Sequence, residues 1–205
     1  MTIKERIVEN SIDLFMKRGC KSVTMDEIAS ENGISKRTLY ENFEDKNSLL
    51  KECLCTAYER TKNATEQLFN SSENVYDLIF KIHECKTNQR YNFKMSFVAE
   101  LKKFYPEVYE SMRLNFSNYH NESTQKFIDR GQKEGLIMKN VNKEIIIKAI
   151  ITMSDMMMNG DVFSGLNATR RQIFKETILL YIRGISTKRG IELLDNYLNK
   201  SKDEK

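Results

Sequence analysis

The chain has 205 residues, a formal net charge of +4, one Pro and eight Gly. So few turn-forming residues argue against a sandwich or barrel of many short strands, whereas frequent Leu, Ile, Met, Lys and Glu favour helices. The composition therefore predicts an all-α fold, long enough for one large domain or two smaller ones.

Positive charge is not concentrated near the amino terminus. Residues 1–55 carry nine basic and ten acidic side chains, which gives a net charge of −1. Overall charge therefore does not support nucleic-acid binding by this part of the chain, and only the local placement of cations could do so.

The first 45 residues contain the signals of three short helices. The first helix is predicted over about 3–18, with Gly19 as its stop. Thr24 and Glu27 have the spacing of a capping box that starts a second helix, and Gly33 can take the positive φ that ends it. Ser35 is placed to cap the next helix.

Longer helices are predicted in the rest of the chain. Asp45 can cap a helix over about 46–70, which is followed by helices over about 74–91, 94–104, 107–133, 143–159, 169–187 and 190–199. We therefore expect a compact head of residues 1–45 and a larger body of residues 46–205.

The segment 24–46, TMDEIASENGISKRTLYENFEDK, meets the demands of a helix-turn-helix. A small residue is needed at the crossing of the two helices, and Ala29 supplies it; the turn needs Gly33. The shared core needs the apolar residues Ile28, Ile34, Leu39 and Phe43. With that face turned inward, the opposite face carries Lys36, Arg37, Tyr40 and Glu44.

The ordered pattern T-x-x-x-I-A-x-x-x-G-I-S-K-x-T-L-Y-x-x-F-x-x-K resembles the amino-terminal DNA-binding head of the TetR family of bacterial repressors. The resemblance covers roughly residues 3–50, while the body matches the family in helix number and length. The family often has Gly where this chain has Arg37, so the chain carries an additional long cation on the face that would meet DNA.

The resemblance implies a set of DNA contacts. Lys36, Arg37 and Tyr40 would lie at the major groove, where Arg37 suits a bidentate contact with guanine. Helix starts at Thr24 and Lys46 would face phosphate, and hydroxyl groups would bind phosphate oxygens. The predicted DNA-binding residues are Thr24, Ser35, Lys36, Arg37, Thr38, Tyr40 and Lys46. The alternative is that the Lys-Arg pair belongs to an ordinary solvated helix face.

The segments 143–159 and 169–187 are apolar on more than one face and therefore need burial on two sides. In the TetR family the last two body helices pair with their twofold mates in a four-helix bundle. The resemblance thus implies a homodimer whose recognition helices, about 34 Å apart, meet successive major grooves of a near-palindromic operator. The alternative is a deep monomer core.

Phe, Tyr and Met are frequent in the middle of the body, which suits either a core or a cavity for a small, moderately apolar or aromatic effector. The candidate pocket residues are Phe97, Met112, Phe116, Tyr119, His120, Met153 and Asp155. The two histidines, His83 and His120, have no ligand spacing around them, so we expect neither a metal site nor a cofactor.

Compartment and membrane signals agree with a soluble cytoplasmic protein. Cys53 and Cys55 point in different directions on a predicted helix, which suits neither a metal site nor a disulfide, so we interpret the cysteines as small buried residues of a reducing compartment. The opening residues lack an uninterrupted apolar stretch typical of a signal peptide. The most apolar segment, 145–158, is interrupted by Lys148 and Asp155 and is shorter than the about 20 residues that cross a bilayer.

These features predict a homodimeric transcriptional repressor that is released from its operator by a small effector through the long helix that begins at Lys46. One alternative is an α-helical sensor or enzyme with a vestigial head, although no motif of an enzyme class stands out. Another is a DNA-binding regulator without an effector, whose body serves to dimerise.

Overall fold

The structure is a computed structural model that describes residues 1–88, 95–158, 162–163 and 165–200. In this part of the chain the helices are α1 (Ile3–Arg18), α2 (Met25–Glu31), α3 (Lys36–Asn42), α4 (Lys46–Ser71), α5 (Val75–Asn88), α6 (Met95–Phe104), α7 (Pro106–Lys133), α8 (Lys143–Met158), α9 (Arg170–Phe174), α10 (Leu180–Gly184) and α11 (Lys188–Lys200). The β pairing within these residues is one antiparallel bridge between Ile137 and Ser186. The all-α prediction, including the helix-turn-helix head and the larger helical body, is confirmed.

The observed helices begin and end within a few residues of the predicted ones. Residues 89–91, 94 and 159, at the ends of three predicted helices, lie outside the described residues. A π-helical turn, Lys175–Leu179, joins α9 to α10 where the sequence predicts one regular helix. Among the described residues, no helix has both the length and the apolar character that crossing a bilayer requires.

The chain divides into two compact units. The first contains Met1–Glu66 and Lys86–Ser117, and the second contains Gln67–Cys85 and Asn118–Lys205. Helices α4, α5 and α7 therefore contribute to both units. The predicted division into a head of residues 1–45 and a body of residues 46–205 concerns function rather than packing, and it stays a prediction.

The first unit has a continuous core around the three short helices. Residues at helical spacing on α1, such as Ile12 and Phe15, pack in one cluster with Leu39 of α3 and Leu50 of α4. Leu101 of α6 completes this cluster and is fully buried. Burial of these side chains removes apolar surface from water and holds the short helices, which would be marginal in isolation.

An arginine organises the second unit. The guanidinium group of Arg130 on α7 donates to the carbonyl oxygens of Phe69 and Ser72, both at 2.6 Å, and to Glu134 Oε1 at 2.6 Å. Glu134 also accepts the backbone N–H of Val75 at 3.0 Å. This pair therefore satisfies the carbonyl groups at the end of α4 and an N–H group at the start of α5, which have no partner within their own helices.

The turn between α2 and α3 is fixed by Gly33 and by a residue that the sequence analysis did not single out. Gly33 has φ +61, and its N–H donates to the Ser30 carbonyl oxygen at 3.0 Å. The buried Asn32 side chain donates to the Ile28 carbonyl oxygen at 2.8 Å and accepts from Asn10 Nδ2 at 3.0 Å. Because Asn10 lies on α1, this side chain ties the turn to the first helix.

Replacement of Asn32 by Ala should destabilise the fold by roughly 1–3 kcal/mol, because it removes the two side-chain hydrogen bonds, to the Ile28 carbonyl oxygen and from Asn10, that fix the turn. Urea unfolding followed by circular dichroism measures the change. Asn47→Ala, at an exposed position on the first turn of α4, is the matched control and should change stability by less than about 0.5 kcal/mol. Equal stabilities of the two variants would contradict the structural role of Asn32.

Candidate nucleic-acid interface

Side chains cap the helices of the helix-turn-helix as predicted. The Thr24 hydroxyl accepts the N–H of Glu27 at 3.2 Å, and the Glu27 carboxylate accepts the N–H of Thr24 at 2.8 Å. Ser35 Oγ accepts from Thr38 N at 3.0 Å, and Asp45 Oδ1 accepts from the N–H of Ser48 at 2.7 Å. Hydrogen bonds from the Thr24 backbone and hydroxyl, and then from Arg18, hold the pKa of Glu27 below its ordinary value.

The two faces of α3 separate as the sequence predicts. Leu39 is fully buried and Phe43, just after the helix, is 4% exposed, while Ala29 is buried where α2 crosses its neighbours. Ile34 packs against the same cluster and is half-buried. On the opposite side the exposed residues are Lys36, Arg37, Tyr40 and Glu44.

Both cations on this face are paired with carboxylates, which the sequence analysis did not anticipate. Lys36 Nζ lies 2.6 Å from Asp26 Oδ2, and Arg37 Nε lies 3.0 Å from Glu41 Oε1. The Arg37 side chain is nevertheless 89% exposed. Exposed ion pairs of this kind contribute little to stability. The two cations can therefore exchange their carboxylates for another anion at small cost.

The other predicted contact residues differ in their surroundings. Thr24, Ser35 and Tyr40 are exposed, whereas Thr38 is half-buried and its hydroxyl lies 2.9 Å from that of Ser35. The ammonium group of Lys46 lies 3.4 Å from the Lys21 carbonyl oxygen, so it is directed at the loop before α2. Contact of these residues with DNA stays a prediction.

Two of the predicted pocket residues line a cleft between α4 and α7 in the first unit. Met112 and Phe116 form one wall, and the Tyr58 ring meets that of Phe116 with centroids 4.7 Å apart. The volume of about 10 Å³ is enough for roughly one water molecule. Cys55 also lines this cleft and is exposed, so its interpretation as a buried residue was wrong: two residues after buried Cys53, it points to another side of α4.

The remaining pocket candidates lie elsewhere. Phe97 is 2% exposed within the core of the first unit, which favours the core interpretation for that residue. Tyr119 and His120 are half-buried neighbours on α7 in the second unit, with ring centroids 6.2 Å apart. Asp155 on α8 is exposed, although partial desolvation raises the pKa of its carboxyl group. An effector site built from these residues stays a prediction.

An open groove of about 600 Å³ lies on the second unit, where segments predicted to dimerise carry apolar side chains. Met153 of α8 and Leu180 and Tyr181 of α10 line it. Leu180 is 61% exposed, and Ile145 and Met156 are further exposed apolar residues of α8. An open groove beside exposed apolar side chains is a candidate interaction site.

Comparison with known proteins gives matches that agree with this geometry. Residues 7–53 match the family model "Bacterial regulatory proteins, tetR family". The chain is 44% identical over 70 residues to the uncharacterized HTH-type transcriptional regulator YerO of Bacillus subtilis (strain 168), covering 32% of this chain and 24% of YerO. It is 25% identical over 107 residues to the biofilm operon icaADBC HTH-type negative transcriptional regulator IcaR of Staphylococcus aureus (strain Newman), covering 52% of each. The chain thus matches about a quarter and about half of the length of these relatives.

Solved structures share the fold over most of the chain. A putative transcriptional regulator from Saccharomonospora viridis in complex with choline has a TM-score of 0.75 at 16% identity, covering 90% of this chain and 98% of that one. A TetR family regulator from Agrobacterium tumefaciens has a TM-score of 0.70 at 11% identity, with the same two coverages. Residues 7–53 therefore match the DNA-binding head of the TetR family of bacterial regulatory proteins, and the chain shares its fold with solved regulators of that family.

Proposed function

We propose that this protein is a homodimeric transcriptional repressor that binds a near-palindromic operator through α3. The observation that carries the proposal is the exposed face of α3, on which Lys36, Arg37 and Tyr40 project from a helix fixed by a buried turn. A seven-residue helix fits the major groove of B-DNA, which is about 12 Å wide. The match of the head to the TetR family model and the name of IcaR as a negative regulator support repression. Such a repressor works in the cytoplasm, where bacterial DNA lies.

Among the predicted contact residues, Arg37 is the best candidate for base recognition. Its side chain is more exposed than that of Lys36, the other cation of α3, and it donates to Glu41 through Nε. A planar guanidinium group can donate two parallel hydrogen bonds to the O6 and N7 atoms of guanine. Tyr40, one turn along the exposed face, offers a hydroxyl group to phosphate or base.

Arg37→Ala should weaken binding to the operator by about 10- to 100-fold, since a bidentate contact contributes about 1–3 kcal/mol of discrimination. The operator is first obtained by selecting bound duplexes from a random pool, and fluorescence anisotropy then measures affinity. Arg113→Ala is the matched control, because Arg113 is an exposed arginine of α7 that is likewise paired with a glutamate of its own helix, Glu110. Wild-type affinity of the Arg37→Ala protein would reject this contact.

The second subunit would cover the groove on α8 and α10. Leu180 is 61% exposed and stands in this groove beside Met153 and Tyr181. An apolar face of this kind gains stability when a copy of itself removes it from water, and a twofold interface uses the same residues on both subunits. Dimerisation would also supply the second recognition helix that a near-palindromic operator requires.

Leu180→Gln should raise the dissociation constant of the dimer by at least about tenfold, because burial of a leucine side chain contributes about 1.5–3 kcal/mol. Sedimentation velocity over a range of concentrations measures this constant. Leu114→Gln provides the matched control, since Leu114 is 54% exposed and belongs to α7. Wild-type protein that sediments as a monomer, or a Leu180→Gln dimer as tight as wild type, would exclude this interface.

An effector would act through the cleft between α4 and α7. Its walls are apolar and aromatic, with Leu54, Met112 and Phe116 among the lining residues. In the present conformation the cleft has room for about one water molecule, so an organic effector would have to select a more open form. The choline complex of the Saccharomonospora viridis regulator supports ligand binding by this fold.

A screen of small apolar and aromatic compounds by differential scanning fluorimetry should find one that raises the melting temperature and, by linkage, weakens operator binding. Phe116→Ala should abolish both effects. Leu114→Ala, an exposed position of the same helix, should preserve them. A compound whose two effects survive in Phe116→Ala would place the effector elsewhere. The absence of any such compound would favour the regulator without an effector.

A further inference from the structure

The loop between α1 and α2 is held by groups from three other elements of the first unit. Glu100 Oε2 on α6 accepts the backbone N–H of Lys21 at 2.9 Å. The Tyr105 hydroxyl, at the corner between α6 and α7, donates to the Cys20 carbonyl oxygen at 3.4 Å. Lys46 Nζ, at the start of α4, donates to the Lys21 carbonyl oxygen at 3.4 Å. The loop backbone is therefore fixed from several directions.

Gly19 permits this close approach. It has φ +85, and a Cβ atom added there would lie 2.6 Å from Glu100 Oε2. A side chain at this position would displace the Glu100 carboxylate from the loop and would place a strained backbone at φ +85. The glycine that ends α1 thus also admits the carboxylate that holds the loop.

Three ammonium groups gather around two adjacent rings at this corner. Lys21 Nζ lies 4.6 Å and Lys103 Nζ 5.4 Å from the centroid of the Phe104 ring. Lys46 Nζ lies 5.4 Å from the centroid of the Tyr105 ring. Phe104 is 40% exposed. Since the face of an aromatic ring attracts cations, the two rings hold these lysines together at the surface. We call these five residues the lysine patch.

The charges of the lysine patch are available to an external anion. In the part of the chain that the structure describes, no carboxylate lies within 4.0 Å of the ammonium group of Lys21, Lys46 or Lys103. The nearby Glu100 carboxylate is engaged by the loop backbone. By contrast, both cations of α3, Lys36 and Arg37, are paired with carboxylates.

We propose that the lysine patch is a second DNA-binding surface, which contacts the phosphate backbone outside the helix-turn-helix. The proposal rests on the proposed function, because DNA is its partner. Lys46 belongs both to the patch and to the predicted phosphate contacts, so the patch extends the interface formed by the head. Residues 1–55 have a net charge of −1 and attract DNA weakly as a whole. Unpaired lysines beside the loop that leads into α2 supply the sequence-independent attraction that this head lacks.

The test uses the full chain, a fluorescein-labelled 30-base-pair duplex of mixed sequence, and the dependence of affinity on salt concentration. Each neutralised phosphate contributes about 0.9 to the slope of log K against log salt. The double variant Lys21→Gln/Lys103→Gln should therefore lower the magnitude of the slope by about 1.8 and weaken binding at low salt. Lys126→Gln/Lys133→Gln is the matched control; it removes two exposed lysines of α7 in the second unit and should leave the slope unchanged.

The outcomes separate this proposal from the proposed function. If the Lys21→Gln/Lys103→Gln variant shows the same steep salt slope and the same affinity as wild type, the lysine patch is overturned. DNA binding by α3 would then still stand. Equal losses in the two double variants also overturn it, because they would reflect net charge rather than position. Wild-type protein that fails to bind the mixed-sequence duplex but binds the selected operator overturns the lysine patch alone, and failure to bind either duplex overturns both proposals. Circular dichroism melting confirms that each variant is folded at the assay temperature.

Discussion

The angle between α2 and α3 depends on a turn in which backbone conformation and a buried side chain act together. Gly33 takes a positive φ that other residues rarely adopt, and the buried Asn32 side chain donates to α2 and accepts from α1. The core residues of α3 then have one orientation available, with Leu39 inside. That orientation also determines which side chains of α3 face outward and can contact a partner.

The charges of the head favour discrimination over general attraction. Asp26 and Glu41 neutralise the two cations of α3 at 2.6 and 3.0 Å. On binding DNA, the two cations must leave these carboxylates for acceptor atoms of the DNA. A DNA sequence whose acceptors are poorly placed gains little binding free energy from this exchange. Sequence-independent attraction then has to come from other cations. The lysine patch holds three lysines close together that, among the described residues, have no carboxylate partner.

Local features of this fold could be predicted from the sequence because their partners are three or four residues apart. The capping residues Thr24, Ser35 and Asp45 and the outward face of α3 belong to this class. Contacts between distant residues could not be predicted in this way. The Asn10–Asn32 hydrogen bond and the Glu100 contact with the Lys21 backbone join residues 22 and 79 positions apart.

Apolar periodicity indicates which side chains are buried without indicating which of them surround a cavity, which explains why the pocket candidates are scattered.

Helix α6 and the corner that follows it give the first unit a physical route between a ligand and the head. Glu100 and Tyr105 hold the loop that precedes α2, and α7 begins at Pro106, directly after Tyr105. Met112 and Phe116, which line the cleft, lie on the first turns of that same helix. A compound that forces the cleft open must displace α4 or α7. A displacement of α7 changes the position of Tyr105, and one of α4 changes that of Lys46. Either change would disturb the lysine patch and the start of α2 together, so the proposed effector and the proposed DNA contacts would oppose each other through covalently adjacent residues.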